Sequence, residues 1–74
     1  MNTVPSLSFQ HAIRFPSGAY YLGPIIVDKK GTRLNDPSHV GPKHLAYTYT
    51  EARAHNVIRD NPIVFSGCVV ERVL

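Results

Sequence analysis

The sequence has little of the chemistry on which secreted, membrane-bound or covalently stabilised small proteins depend. Its 74 residues include one cysteine, Cys68, so no disulfide can form within the chain, and such usage is typical of reducing compartments. No apolar run approaches the roughly 20 residues of a membrane helix. The first residues also lack the basic start and long apolar stretch of a signal peptide. We therefore expect a complete, separately encoded protein of the cytoplasm, with no membrane contact.

Catalytic groups are equally scarce. Only five carboxylates are present, and none forms an obvious pair for acid–base catalysis. No nucleophile motif surrounds Ser17, Ser38 or Ser66, and Cys68 lies in an apolar segment, where a thiol is normally inert packing. The glycines lack the spacing of phosphate-binding loops. We predict that the chain is not an enzyme and uses no cofactor.

Four histidines and one cysteine raise the question of a metal site. His39 and His44 are five residues apart, whereas structural zinc sites use closer pairs and more cysteine. His11 has the inward parity of the first predicted strand, and His55 lies on the predicted helix, between its apolar stripe and solvent. We predict that no metal is bound.

What the sequence does contain fits a small globular domain. Apolar residues make up 43% of the chain and charged residues 18%, which is typical of folded rather than disordered proteins. A domain of this size buries only about 60% of the surface that its unfolded chain exposes, so its stability should be modest. The net charge of +3 permits a nucleic-acid or acidic-protein partner and demands neither.

The first half of the chain is patterned for strands. Residues 7–15 alternate with period two, which is typical of a half-buried strand. A turn at 16–18 leads into a second strand, which Gly23-Pro24 should interrupt at a bulge or an edge. A further turn at 28–31 precedes a brief pairing at residues 32–34.

The second half predicts one helix and a closing strand. Thr48 and Glu51 fit a capping box, and a helix from about Tyr49 to Asp60 should end at Asn61-Pro62, where Asn tolerates a left-handed cap. Residues 63–73 are apolar on both parities, which is typical of a strand in the middle of a sheet. The order β-β-(β)-α-β predicts an α+β fold, with one helix across a small, mostly antiparallel sheet of three to four strands.

We expect a single domain over residues 1–74, with a flexible N-terminus at 1–5 and an extended loop at 35–44, since loops of that length are usually functional or disordered. The rigid core is expected to contain the inward-facing apolar residues, namely Leu7, Phe9, Ile13, Phe15, Leu22, Ile25, Val27, Ala54, Val57, Ile58, Phe65, Cys68 and Val70.

Two kinds of partner suit the remaining residues. Nucleic acid is one, because the turn carries three cations, Lys29, Lys30 and Arg33, and the chain has four tyrosines that could stack on bases. Asp28 and Asp36 dilute the positive field of that region. The tyrosines are Tyr20, Tyr21, Tyr47 and Tyr49. A protein partner is the other, because tyrosine and arginine are enriched at interface anchors and an exposed sheet edge can accept a partner's strand or pair with a second copy.

We favour the protein partner and leave nucleic-acid binding and self-association as the alternatives. The chain would act as a monomer or homodimer. The expected contact surface consists of the basic turn and the extended loop, through Lys29, Lys30, Arg33, His39, Lys43 and His44.

The segment from residue 45 to the end resembles a layout found in small phage proteins. A strand leads into a helix through Thr48 and Glu51-Ala52, and the chain ends on a strand of the Val-x-Arg-Val type at residues 70–73. Phage-encoded inhibitors of bacterial RNA polymerase and anti-CRISPR proteins are similar. The resemblance implies a non-enzymatic viral inhibitor of a host protein or ribonucleoprotein complex in the bacterial cytoplasm. This chain departs from that layout in its 35–44 loop and in being basic, since many such inhibitors are acidic.

Overall fold

Six short strands and one α-helix form the fold of residues 8–74, the part of the chain that this computed structural model describes. The strands are β1 (His11–Arg14), β2 (Tyr20–Tyr21), β3 (Ile25–Ile26), β4 (Arg33–Leu34), β5 (Val40–Gly41) and β6 (Val69–Arg72), and helix α1 spans Glu51–Asp60. One antiparallel sheet has the order β5-β2-β1-β6, and β3 and β4 form a separate two-stranded sheet. The predicted α+β class, with one helix and a mostly antiparallel sheet, is confirmed.

Strand β1 lies inside the larger sheet. It pairs along its whole length with β6 and, at Arg14–Tyr20, with β2. Tyr49 extends the β2 side of β1 through reciprocal backbone hydrogen bonds with His11, of 3.0 and 2.7 Å. Helix α1 packs against β1 and β6, so one face of the sheet is covered by the helix.

The core beneath α1 is largely aromatic. Its buried cluster is Ile13, Tyr21, Tyr49, Ala54, Val57 and Phe65. The rings of Tyr21 and Phe65 meet edge to face with centroids 5.0 Å apart, a favoured arrangement for aromatic pairs. Phe15, Ile58, Val64, Cys68 and Val70 pack around this cluster.

Most of the predicted core is confirmed, but its margins are not. Phe9 is 61% exposed and Val27 is also exposed, so both predictions are wrong. Phe9 precedes β1 and Val27 follows β3, and period two does not tell how far along the chain a covered face extends. Leu22 and Ile25 are only half-buried. The prediction for Leu7 and that of a flexible 1–5 segment lie outside the described residues.

Helix α1 begins after Thr50, and the predicted capping box of Thr48 with Glu51 is wrong. Thr50 is the N-cap, and its side-chain oxygen accepts a hydrogen bond from the backbone N–H of Arg53 at 3.2 Å. The end at Asp60 is confirmed, but Asn61 is not left-handed. Instead its side-chain amide donates to the carbonyl oxygen of Val57 at 2.9 Å.

Residues 63–73 do not form one central strand, as their apolar pattern predicted. Residues 62–67 are a series of turns, which leave Ile63 91% exposed and carry Phe65 into the core. Gly67 has φ 76°, a left-handed conformation that ends regular structure. The strand β6 follows only from Val69 and lies at the edge of the sheet.

The 35–44 segment is only partly a loop. Strand β5 lies within it and pairs with β2, and a 3-10 turn at Lys43–Leu45 follows. The Asp36 carboxylate accepts hydrogen bonds from the backbone N–H and the hydroxyl of Ser38, at 2.9 and 2.7 Å. The lack of a regular period in the sequence predicted a loop, but side-chain hydrogen bonds of Asp36 give this segment a defined turn.

Candidate binding groove

A groove of about 340 Å³ lies between helix α1 and the β3–β4 hairpin. We call the hairpin at residues 25–34 the arm, and the rest of the described chain the body. The arm contributes Arg33 to the groove, and α1 contributes Arg53 and Asp60. The approach to the helix contributes Tyr47 and Tyr49. The groove therefore brings together residues from distant parts of the sequence.

The arm side of the groove is set by strand pairing. Arg33 of β4 pairs with Ile26 of β3, and residues directly opposite each other in a ladder project their side chains to the same face. Basic and apolar groups are thus neighbours on this face of the arm.

The two arginines of the groove have no ion-pair partner among residues 8–74. Among residues 8–74 the ion pairs are Arg14–Glu71, Lys43–Glu71 and Arg59–Asp60, and neither Arg33 nor Arg53 contributes a side-chain hydrogen bond to any described residue. Both guanidinium groups keep their full donor capacity for a ligand.

The buried ring of Tyr49 forms part of the groove wall. Burial raises the pKa of its hydroxyl above the ordinary tyrosine range, the neighbouring Tyr21 and Tyr47 add to that rise, and Arg53 opposes it. The hydroxyl therefore stays protonated at neutral pH. The opposing effect of Arg53 also shows that its charge lies within electrostatic reach of this wall.

Tyr47 gives the groove an accessible aromatic surface. Its ring is 41% exposed and meets that of Tyr49 with centroids 5.0 Å apart and planes at 67°. Gly23 stands behind it: a β-carbon there would lie 2.7 Å from Cδ1 of Tyr47, and φ is 97°. Only glycine combines this positive φ with the lack of a β-carbon, so Gly23 allows the ring of Tyr47 to take its position in the groove wall. Phe9, the other exposed ring, also lines the groove.

The base of the arm is held to the core by polar contacts. The Tyr21 hydroxyl donates to Oδ1 of Asn35 at 2.7 Å. Nδ1 of His39 lies 2.6 Å from the carbonyl oxygen of Gly23, and the His39 ring meets Tyr21 edge to face. These contacts fix the arm beside the groove.

The six residues predicted for the contact surface lie in three places. Lys29 and Lys30 are exposed at the tip of the arm, and Arg33 lines the groove. His39 is half-buried against Gly23 and Tyr21, so its expected exposure is corrected: its ring supports the arm.

Lys43 and His44 lie in the exposed 3-10 turn. Nζ of Lys43 is 3.3 Å from a Glu71 oxygen that also accepts the Tyr20 hydroxyl at 2.8 Å. Glu71 pairs with Ala12, so this cluster occupies the sheet face opposite α1. The extended loop thus does not bring Lys43 into the groove.

The arm's tip owes its shape to Asp28. Its carboxylate accepts hydrogen bonds from the backbone N–H groups of Lys30 and Thr32, at 2.9 and 3.0 Å. Hydrogen bonds from Thr32, side chain first, hold the pKa of Asp28 below its ordinary value, with smaller help from the amides of Lys30 and Gly31. This charge is used within the turn, which leaves the two lysines to face outward.

The four tyrosines do not form a set of stacking surfaces. Tyr21 and Tyr49 are buried in the core, and Tyr20 is bound to Glu71. That leaves Tyr47 as the tyrosine most open to a ligand.

Sequence reasoning missed Arg53, Asn35 and the exposure of Phe9. Arg53 stands 20 positions from Arg33, and no spacing rule links a helix residue to a hairpin residue across that distance. The charge balance of α1 gave no signal either, since its two arginines are matched by two acidic residues, Glu51 and Asp60.

Other chemistry finds little support in the described part of the chain. Among residues 8–74 no group of three or more His, Cys, Asp or Glu side chains is placed to hold a metal ion. Burial raises the pKa of the Cys68 thiol, which disfavours the reactive thiolate. No helix within residues 8–74 is both long and apolar enough for a membrane crossing. No protein-family model, curated protein sequence or solved structure matches this chain.

Proposed function

We propose that this chain is a non-enzymatic protein of a phage or mobile element that binds and inhibits a bacterial host protein complex, in the manner of anti-CRISPR proteins and RNA polymerase inhibitors. The host complex, protein or ribonucleoprotein, would be met in the bacterial cytoplasm. The observation that carries the proposal is the exposure of the arm, in which all nine residues from 26 to 34 are exposed.

The arm exposes apolar groups that a free surface usually hides. Ile26 is 66% exposed, and Val27 and Leu34 are exposed as well. Leu34 pairs with Ile25 and Ile26 pairs with Arg33, so Leu34 and Ile26 project to opposite faces of the arm. Both faces therefore expose apolar side chains, a feature typical of interaction sites. A two-stranded hairpin is marginal by itself, so the anchoring of the arm through Asn35 has the effect of presenting this surface.

The charge of the arm indicates the chemistry of the partner. Lys29, Lys30 and Arg33 are present with one carboxylate, Asp28, which is occupied by the turn. An acidic protein surface with apolar patches complements such an arm. Aliphatic side chains offer no stacking platform for bases, which favours protein over nucleic acid.

Affinity capture from nuclease-treated bacterial lysate tests the proposal. The double variant Lys29→Glu/Lys30→Glu should lower the affinity for the captured host protein by roughly tenfold or more, because it opposes the partner's charge. Arg59→Glu/Arg72→Glu is the matched control, since it makes the same charge change on α1 and β6. Thermal melting should be nearly unchanged in both.

Other results of the capture experiment would indicate a different class of protein. Capture that disappears with nuclease, together with tight oligonucleotide binding of steep salt dependence, indicates a nucleic-acid module. A mass that rises with concentration and no captured protein indicates self-association. Equal losses in both double variants would contradict the assignment to the arm.

A further inference from the structure

The groove has the features of a binding site distinct from the tip of the arm. We propose that it binds an extended peptide segment of the partner protein that carries an acidic and a basic residue, with the carboxylate held by Arg33 and Arg53 and an apolar side chain against Tyr47. This inference rests on the proposed protein-binding function and names the chemistry that the partner supplies.

The carboxylate end follows from the two unpaired arginines. A guanidinium group is always charged and offers a planar fork of donors that matches a carboxylate. Two such groups in one groove repel each other while it is empty, and a bound carboxylate relieves that repulsion. Neither arginine lies within 4 Å of a described carboxylate. The ion pairs among residues 8–74 use Arg14, Lys43 and Arg59 instead.

The α1 side of the groove also carries an acidic residue. Asp60 is seven residues beyond Arg53 on α1, which is two turns, on the same helix face and about 10 Å along the axis. Its carboxylate lies 3.3 Å from Nε of Arg59, in a pair whose side chains are mostly exposed and hence weakly held. The groove is therefore positive at Arg53 and negative at Asp60.

This separation sets the length of the peptide. An extended chain rises about 3.3 Å per residue and its side chains alternate between two faces, so residues on one side lie an even number of positions apart. Four residues of advance, about 13 Å, bring an acidic and a basic side chain of one face within reach of Arg53 and Asp60. The best ligand therefore carries an acidic residue, three apolar or small residues, and then a basic residue. The exposed ring of Tyr47 lines the same groove, where a central apolar side chain can pack.

Nuclear magnetic resonance titration tests the inference without the host partner. The probe is acetyl-Glu-Ala-Leu-Ala-Lys-amide, and the control without charged side chains is acetyl-Gln-Ala-Leu-Ala-Gln-amide. The charged probe should cause saturable shifts in the Nε–Hε signals of Arg33 and Arg53 and in the ring signals of Tyr47. The neutral peptide should bind at least fivefold more weakly.

Variants separate the groove from general charge. Arg53→Gln should weaken binding of the charged probe roughly tenfold, whereas Arg72→Gln removes the same charge from β6 and should leave it unchanged. Tyr47→Ala is a second test, which should weaken both peptides by the loss of apolar contact. Amide spectra establish that each variant is folded.

Three results would overturn the inference: no saturable shifts at the groove, equal binding of the neutral peptide, or equal effects of Arg53→Gln and Arg72→Gln. Adenosine monophosphate is a further comparison. If it shifts the signals of Tyr47 and Arg53 more strongly than the charged probe does, the inference is overturned and the groove is assigned to a nucleotide. Loss of host capture in Lys29→Glu/Lys30→Glu reads out the arm separately, so the proposed function can survive a failure of the groove.

Discussion

The body and the arm are built from similar residues and end in opposite environments. The body buries Ile13, Phe65 and Ala54 almost completely where α1 meets the sheet, whereas every residue from 26 to 34 in the arm is exposed. Both regions contain β-branched runs that favour strands. The difference is that a helix covers one sheet and none covers the other. Strand propensity therefore determines the backbone conformation in both regions, whereas a packed helix determines which side chains are buried.

The two regions are also held by different forces. The body depends on apolar burial, which is the dominant favourable contribution to folding. The arm depends on backbone pairing, on the Asp28 turn and on the contact between Tyr21 and Asn35. Side chains of the arm consequently contribute little to folding and remain free for contact with a partner.

The sharpest test of this difference is to truncate one apolar side chain in each region. Phe65→Ala should lower the free energy of unfolding by about 3–5 kcal/mol, because it leaves a cavity among packed rings. Leu34→Ala in the arm should change it by no more than about 0.5 kcal/mol. Urea denaturation followed by circular dichroism measures both. Comparable losses would show that the arm is part of the folding core.

A smaller effect concerns the start of α1 in the body. Thr50→Ala should cost about 1 kcal/mol, because it removes the acceptor for the Arg53 amide. Thr48→Ala, at the residue that the sequence favoured as the cap, should cost clearly less. Thermal denaturation of the pair decides between the two caps, and a larger loss in Thr48→Ala would restore the predicted capping box.

The link between the regions can be weakened through Tyr21. Tyr21→Phe removes the hydroxyl that donates to Asn35 and should cost about 0.5–1.5 kcal/mol. Hydrogen exchange should also accelerate at the Val27 amide, which donates to the carbonyl oxygen of Thr32 within the arm. Tyr47→Phe is the control, and both readouts should stay near the original values there. Unchanged exchange in Tyr21→Phe would mean that the arm holds its position without this bond.

The smallest effects should appear as a dependence on pH. The Tyr20 hydroxyl, followed by Lys43 and Arg14, holds the pKa of Glu71 below its ordinary value. A lowered folded-state pKa contributes stability above the unfolded-state pKa, and that stability is lost as pH falls through the lowered value. Glu71→Gln should therefore flatten the loss of global stability below about pH 4.5.

Asp28→Asn is the counterpart in the arm, where the pKa of the carboxyl is also lowered. It should alter hydrogen exchange in the arm and leave the pH dependence of global unfolding nearly as it was. Acid titrations of stability, with exchange measured at the same pH values, separate the two. A flattened global profile in Asp28→Asn would contradict the independence of the arm.

The sequence was sufficient where one local pattern decides the outcome. The stripe through Ala54 and Val57 and the inward position of Ile13 follow from helical and strand periods alone. Tyr21 and Tyr49 were not predicted as core residues, because a tyrosine can bury its ring while its hydroxyl reaches a polar partner or a groove. Phe9 was misjudged because it shares the parity of Ile13 but precedes β1, and parity does not tell where the covered part of a face ends.

The groove was beyond local patterns for a different reason. Arg33 and Arg53 are brought to one groove by the docking of a hairpin beside a helix, and that docking depends on polar contacts such as Tyr21–Asn35. A run of β-branched residues also cannot reveal that Gly67 interrupts it. Long-range geometry and positive backbone angles are properties of the folded chain.

Gly23 has a consequence for how this protein can change over generations of mutation. It lies at the junction of body and arm, outside the groove lining, and yet any side chain there meets the ring of Tyr47 from behind. A missense change at this codon would therefore strain the backbone at its positive φ and displace the ring of Tyr47 at the same time. The stability of the fold and the shape of the groove cannot vary independently at this position.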